Sequence, residues 1–176
     1  MEMDTDDPGF IRLLTIQNQL KFKNTPFGGF KLSECNEVNI LIVEDNYPDV
    51  LLAKEVLIEA KVKNTLNVVE DGEEAMEYLL KKGKYVDSKT PDLVLLDLNL
   101  PRKDGREVLV EIKSHKELKR IPVVILTTSK AEKDILNMYE HHANAYITKP
   151  VDFDQFIDVI KSIENFWLTI VKLPKG

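Results

Sequence analysis

The stretch PDLVLLDLNLPRKDG, Pro91 to Gly105, gathers five apolar residues, Leu93, Val94, Leu95, Leu96 and Leu98, around a single carboxylate, Asp97, where an apolar run meets a turn. The run reads as a buried strand that ends on a charge. Ionised carboxylates are rarely buried without a partner, because dehydrating one costs several kcal/mol or more. Asp97 therefore demands compensation from elsewhere in the chain, and the compensating groups decide whether it is a structural acid or a reactive one.

Upstream of this stretch, VNILIVEDN is a β-branched run ending in the adjacent acids Glu44 and Asp45. A helix follows, with Pro48 in its first turn and Val50, Leu51, Ala53, Val56, Leu57 and Ala60 on one face. A second strand is expected over Thr65 to Val69. Asp71-Gly72 marks the turn into a helix from Glu73 to about Lys82, closed by Gly83. A polar connection, Lys81 to Asp92, leads to the third strand.

Downstream, Val108, Leu109 and Ile112 have helical spacing that fades near His115 to Leu118, and IPVVILTTS repeats the strand pattern. Ala131 to His142 reads as a helix with Ile135, Met138 and Tyr139 on one side. NAYITKP supplies a fifth strand ending at Lys149-Pro150. A last helix begins near Asp152, a plausible N-cap, and carries Phe153, Phe156, Ile157, Ile160 and Ile163 inward. Strands alternating with helices in this way imply an α/β fold: a doubly wound, five-stranded parallel sheet, order 2-1-3-4-5, with helices on both faces.

In such a sheet the ends of the apolar runs meet along one edge. Those ends bring Glu44 and Asp45 from the first strand, Asp97 from the third, Thr127 and Thr128 from the fourth and Lys149 from the fifth. The first and third strands flank the topological switch point, where open sheets bind ligands. Three crowded carboxylates repel one another unless a cation lies between them, and hard oxygen ligands suit magnesium. Lys149 and the Thr127 hydroxyl would bind an anion such as a phosphoryl group. Together these groups describe phosphoryl transfer onto Asp97.

The acid pair Glu44 and Asp45, DLNLPRKDG around Asp97, ILTTS with Thr127 and AYITKP with Tyr146 and Lys149 make the chain from about Asn39 to Trp167 resemble the receiver domain of two-component response regulators. That fold is flavodoxin-like and CheY-like. The resemblance implies that Asp97 accepts phosphate from a sensor histidine kinase. It also implies that Glu44, Asp45, Asp97 and the Asn99 backbone carbonyl surround Mg2+, with Mn2+ able to substitute, and that Lys149 contacts the phosphoryl group. Thr127 and Tyr146 would be the switch pair, and Asn99 and Ser129 would tune dephosphorylation. The Lys-Pro bond is commonly cis in the family, and Pro150 permits this. The long second connection and NLP after the aspartate look like the small single-domain regulators that partner phytochromes and related kinases. His142 departs from the pattern, standing where the family usually has glycine.

Residues 1–37 read as an N-terminal extension carrying breakers Pro8, Gly9, Pro26, Gly28 and Gly29, with Phe10 to Phe22 as its one candidate element; an added leader is the alternative. Residues 38–167 form the expected domain, and 168–176 a tail continuing the last helix. Only about 26 residues follow Pro150, so neither a catalytic nor a DNA-binding output domain is expected there. A net charge of -6 argues against nucleic acid as a partner, and no apolar run suits a membrane span. A cytoplasmic location is expected, the acidic start lacking the features of a secretory signal and Cys35 having no disulfide partner in the chain. Apolar spacing that runs on through Phe166, Trp167, Ile170 and Val171 suggests a homodimer through the last helix and fifth strand.

Two enzymatic readings are weaker than a signalling switch that contacts a downstream protein. An aspartate-dependent phosphatase of the haloacid-dehalogenase type needs a second acid where this chain has Asn99. A dinucleotide-binding domain needs a glycine-rich loop where it has EDNYPD. A scaffold that ignores phosphate would have no use for every group named above. His115, His141 and His142 have no ligand spacing and are expected at the surface.

Overall fold

The computed structural model describes residues 37–60 and 62–174. The N-terminal extension, with Phe10 to Phe22 and Cys35, lies outside the described residues. Strands β1 (Val38–Val43), β2 (Asn64–Val69), β3 (Leu93–Leu96), β4 (Val123–Thr127) and β5 (Ala145–Thr148) pair in parallel in the order β2-β1-β3-β4-β5. This is the doubly wound topology expected from the alternating pattern.

Because successive side chains of a strand point to opposite faces, each strand feeds two cores. Ile40, Ile42, Leu93, Leu95, Val124 and Leu126 pack beneath α1 (Tyr47–Ile58) and α5 (Phe153–Ile163). Leu41, Val43, Val94, Leu96, Val123 and Ile125 pack on the other side with α2 (Gly72–Leu79), α3 (Gly105–Ser114) and Met138 of α4 (Glu132–Glu140). All four residues of β3 are buried, so its sequence is continuously apolar instead of alternating.

Four helices start from side-chain caps next to the carboxyl edge of the sheet. Asn46 accepts from the Asp49 N–H at 3.2 Å, Asp71 from Glu74 at 2.9 Å, and Asp152 from Gln155 at 3.0 Å. Asp104 forms a reciprocal capping box with Glu107. Each such cap contributes about 1 kcal/mol. The start of α4, at Ala131, has no side-chain cap.

The helix ends depart from the sequence reading. Helix α2 stops at Leu79, and its terminator is Lys81, at φ 54, instead of Gly83. Lys81 N–H donates to the Tyr78 carbonyl at 3.1 Å and Lys82 N–H to that of Glu77 at 2.9 Å, which satisfies the last carbonyls in a Schellman turn. Helix α4 ends in the same way around His142, at φ 62, with His142 N–H on Tyr139 at 3.0 Å and Ala143 N–H on Met138 at 2.9 Å. The left-handed turn that a glycine would favour is thus kept with a histidine in its place.

Past Ile163 the last helix widens into a π-helical segment, Glu164–Ile170. Helical spacing from Phe156, Ile160 and Ile163 points to Trp167 as the next inward residue. The wider turn buries Leu168 and leaves Phe166 and Ile170 51% and 65% exposed. Among the described residues no helix is long and apolar enough to cross a membrane.

Candidate functional site

Every group that the strand ends were expected to deliver lies at the carboxyl edge, but burial divides them. Glu44, Asp97, Thr127 and Lys149 are buried, while Asp45, Asn99 and Thr128 are exposed at the rim. The Lys149 ammonium reaches from the end of β5 to Asp97 Oδ2 at 2.8 Å, to Asp49 Oδ2 at 3.0 Å and to Glu44 Oε2. All peptide bonds among the described residues are trans, Lys149-Pro150 included, so the cis bond considered above is not present.

On the other side of Asp97, the Asn99 N–H donates to Asp97 Oδ1 at 3.1 Å. The Asn99 amide extends to the Thr127 and Thr128 hydroxyls at 3.4 and 3.3 Å. Thr127 Oγ1 also accepts from the Ser129 N–H at 3.4 Å, and the Tyr146 hydroxyl donates to the Ser129 carbonyl at 3.0 Å. Ser129 Oγ in turn donates to Asp134 at 2.6 Å, and Asp134 is held by both ends of the Arg106 guanidinium, at 2.8 and 3.2 Å.

Backbone contact holds this edge together. A Cβ on Gly105 would overlap the Asp97 carbonyl, so only glycine lets α3 begin against the strand that carries the acid. A Cβ on Gly72 would overlap the Lys103 carbonyl, which seats α2 on the same loop. Arg102, at φ 64 and bracketed by a hydrogen bond from Lys103 N–H to the Pro101 carbonyl at 2.8 Å, turns out of that loop to pair with buried Asp71.

The charges are not balanced. One ammonium is shared by three carboxylates, and burial pushes Glu44 up to about 7 despite the lowering pull of Lys149. Burial opposes the charge on Lys149 as well, yet Glu44 and Asp97 outweigh it and hold the ammonium above its ordinary range. Such a pocket of oxygen donors has capacity for a further cation. Among the described residues no three His, Cys, Asp or Glu side chains form a metal cluster, and the Lys149 ammonium contacts both Glu44 and Asp97.

Comparison with known proteins matches this geometry to a family. The family model for the response regulator receiver domain covers residues 40–161. The chain belongs to the response regulator receiver family. A receiver of this kind is a signalling protein. Response regulator Rcp1 of Synechocystis sp. is 49% identical over 135 residues, covering 77% of this chain and 92% of that protein. The structure of Mn2+-bound Rcp1 superposes with a TM-score of 0.77 at 48% identity, covering 78% of this chain and 99% of the other. That of RcpA, a phosphorylated cyanobacterial phytochrome response regulator, gives a TM-score of 0.78 at 50% identity, covering 80% and 100%.

Within this receiver, the structure brings together Glu44, Asp97 and Lys149 directly, and Thr127 through Asn99. Tyr146 is half-buried and reaches Ser129 rather than Thr127. Sequence reasoning missed Asp49, the third acceptor of the ammonium. The available signal was an acid in the first turn of a helix that starts where β1 ends, which ordinary helix capping explains equally well. The Arg106–Asp134 pair, joining α3 to α4, carried no signal beyond charge.

Proposed function

We propose that this receiver is a phosphorylation-dependent switch, taking a phosphoryl group on Asp97 from a sensor histidine kinase and passing the signal on through a protein contact. The observation that carries this reading is buried Asp97, bonded on one side to Lys149 and linked on the other, through Asn99, to the Thr127 hydroxyl. An Asp97 carboxylate oxygen forms a bond to phosphorus as the phosphorus–nitrogen bond of a phosphohistidine breaks, and the leaving imidazole takes up a proton. Lys149 holds one phosphoryl oxygen and Thr127 donates to another.

Glu44, Asp45, Asp97 and the Asn99 carbonyl would hold Mg2+, with Mn2+ as a substitute, and the ion when bound supplies charge neutralisation for the phosphoryl oxygens. Rcp1 with Mn2+ bound supports this assignment. The phytochrome link of RcpA supports a phytochrome-like kinase as donor, and the exchange would take place in the cytoplasm. Movement of Thr127 would release the β4–α4 loop, let Tyr146 turn inward and remodel the face of α4, β5 and α5. Catalysis would be limited to the protein's own phosphorylation and autodephosphorylation, the latter tuned by Asn99 and Ser129.

A homodimer would use the surface of β5 and the last helix, where Ala145, Ile147, Val159, Phe166 and Trp167 border an open, shallow groove. A monomer in sedimentation at high concentration, with and without a phosphoryl mimic, would remove that part of the reading.

The deciding experiment incubates the protein with Mg2+ and a small phosphodonor, with Asp97→Asn as control. Acid-stable, base-labile phosphate that depends on Asp97 is expected. Rapid turnover of phosphate esters, or no Asp97-dependent incorporation, would overturn the switch.

A further inference from the structure

The Lys149 ammonium has three N–H donors and three carboxylate acceptors, which differ in kind. Glu44 and Asp97 stand at strand ends, their side chains 6% and 7% exposed. Asp49 is on the first turn of α1, 28% exposed, with its own N–H fixed to Asn46 Oδ1 at 3.2 Å. On the reading above, Glu44 and Asp97 have other ligands to take, a cation and a phosphoryl group, and both must loosen their hold on the ammonium when these arrive. Asp49 has no such second task.

We infer that Asp49 is the positioning residue for Lys149: the acceptor that keeps the ammonium at the mouth of the site while Glu44 and Asp97 turn to their cation and phosphoryl group. A lysine released from both strand-end acids would otherwise have four rotatable bonds and only water to hold its head, and an effective general electrostatic catalyst must be fixed before the charge arrives. Asp49, tied to α1, supplies that fixed point. The inference rests on the receiver reading of the site.

A double-mutant cycle on the full chain tests it, with Mg2+-dependent binding of beryllofluoride as the probe. Asp49→Ala is expected to weaken beryllofluoride binding about tenfold, and Asp49→Glu to restore most of it. In a Lys149→Met background the same Asp49→Ala change should have less than a twofold effect. A second readout needs no phosphoryl group: in Mg2+-saturated protein, labelling of the Lys149 amine by acetic anhydride should rise about fivefold in Asp49→Ala.

Equal losses in both backgrounds would mean that Asp49 acts independently of Lys149, and would overturn the inference. So would unchanged binding together with unchanged labelling. A wild-type protein that takes up phosphate on Asp97 while Asp49→Ala behaves identically defeats the inference alone. A wild-type protein that neither binds beryllofluoride nor is phosphorylated defeats the receiver reading and the inference with it.

Discussion

The two edges of the sheet handle polar groups in opposite ways. At the amino edge, Asn39 N–H donates to the Asp92 carboxylate at 2.8 Å while Asp92 N–H returns a bond to the Asn39 carbonyl at 2.7 Å. Asn144 accepts from Val123 N–H at 2.9 Å and from Lys113 at 3.0 Å, and its own N–H reaches the Val123 carbonyl at 2.9 Å. Lys113, pushed down to about 8 by burial, is held by neutral oxygens. Among the described residues there, Asn39 Oδ1 is a buried side-chain oxygen without a hydrogen-bond partner. At the carboxyl edge one ammonium serves three carboxylates. The amino edge secures strands, whereas at the carboxyl edge the acids outnumber the ammonium they share.

The strongest way to break this comparison is to remove the shared cation. Lys149→Met should destabilise the metal-free protein by about 3–5 kcal/mol at pH 8, as expected when one partner of a buried pair is lost. Millimolar Mg2+ should recover much of the loss. Urea unfolding with and without Mg2+ reads both, and a loss that Mg2+ cannot relieve would mean that the acids do not form a cation site.

Asn144→Ala probes the opposite edge. It leaves the buried Val123 N–H without its side-chain acceptor and should cost about 2 kcal/mol. Phosphate incorporation at Asp97 should stay unchanged in folded protein. A comparable drop in incorporation would show that the edges are not separable.

Proton competition at Glu44 sets a smaller effect. Its folded value of about 7 lies above its ordinary 4.5, so its stabilising contribution to metal-free protein is present in full below about 4.5 and lost as pH rises through 7. Mg2+ must displace that proton, so its apparent affinity should fall about fivefold from pH 7 to pH 6. Calorimetric titration at the two values checks this, and a flat profile would take Glu44 out of the metal set.

The smallest effect sharpens the comparison without touching the carboxyl edge. His142→Gly should raise stability by about 1 kcal/mol, since His142 occupies a left-handed conformation that glycine adopts freely. Thermal melting gives the sign, and phosphate incorporation should not change.

The sheet order and the gathering of polar groups at one edge were legible because continuous apolar runs ended in polar residues: LVLLD and VVILT allow little besides buried parallel strands delivering Asp97 and Thr127 to one edge. Lys149 was legible for the same reason. Asp49 was not, because an acid at the start of a helix already has a sufficient local explanation. Nor were the turns at Lys81 and His142, since sequence rules look for glycine there, and backbone hydrogen bonds can hold other residues in the same shape. The ammonium's place between the acids depends on distances that spacing along a chain does not encode.

The five-residue step from Ile163 to Leu168 acts as an insertion of one residue absorbed inside a helix, without a loop to hold it. Everything beyond it is rotated by about 100° relative to an uninterrupted helix. A relative lacking one residue in this segment would keep an apolar anchor against the sheet yet present a different set of side chains outward. This segment can therefore change what it displays through the length of its sequence alone, while the carboxyl edge of the sheet stays untouched.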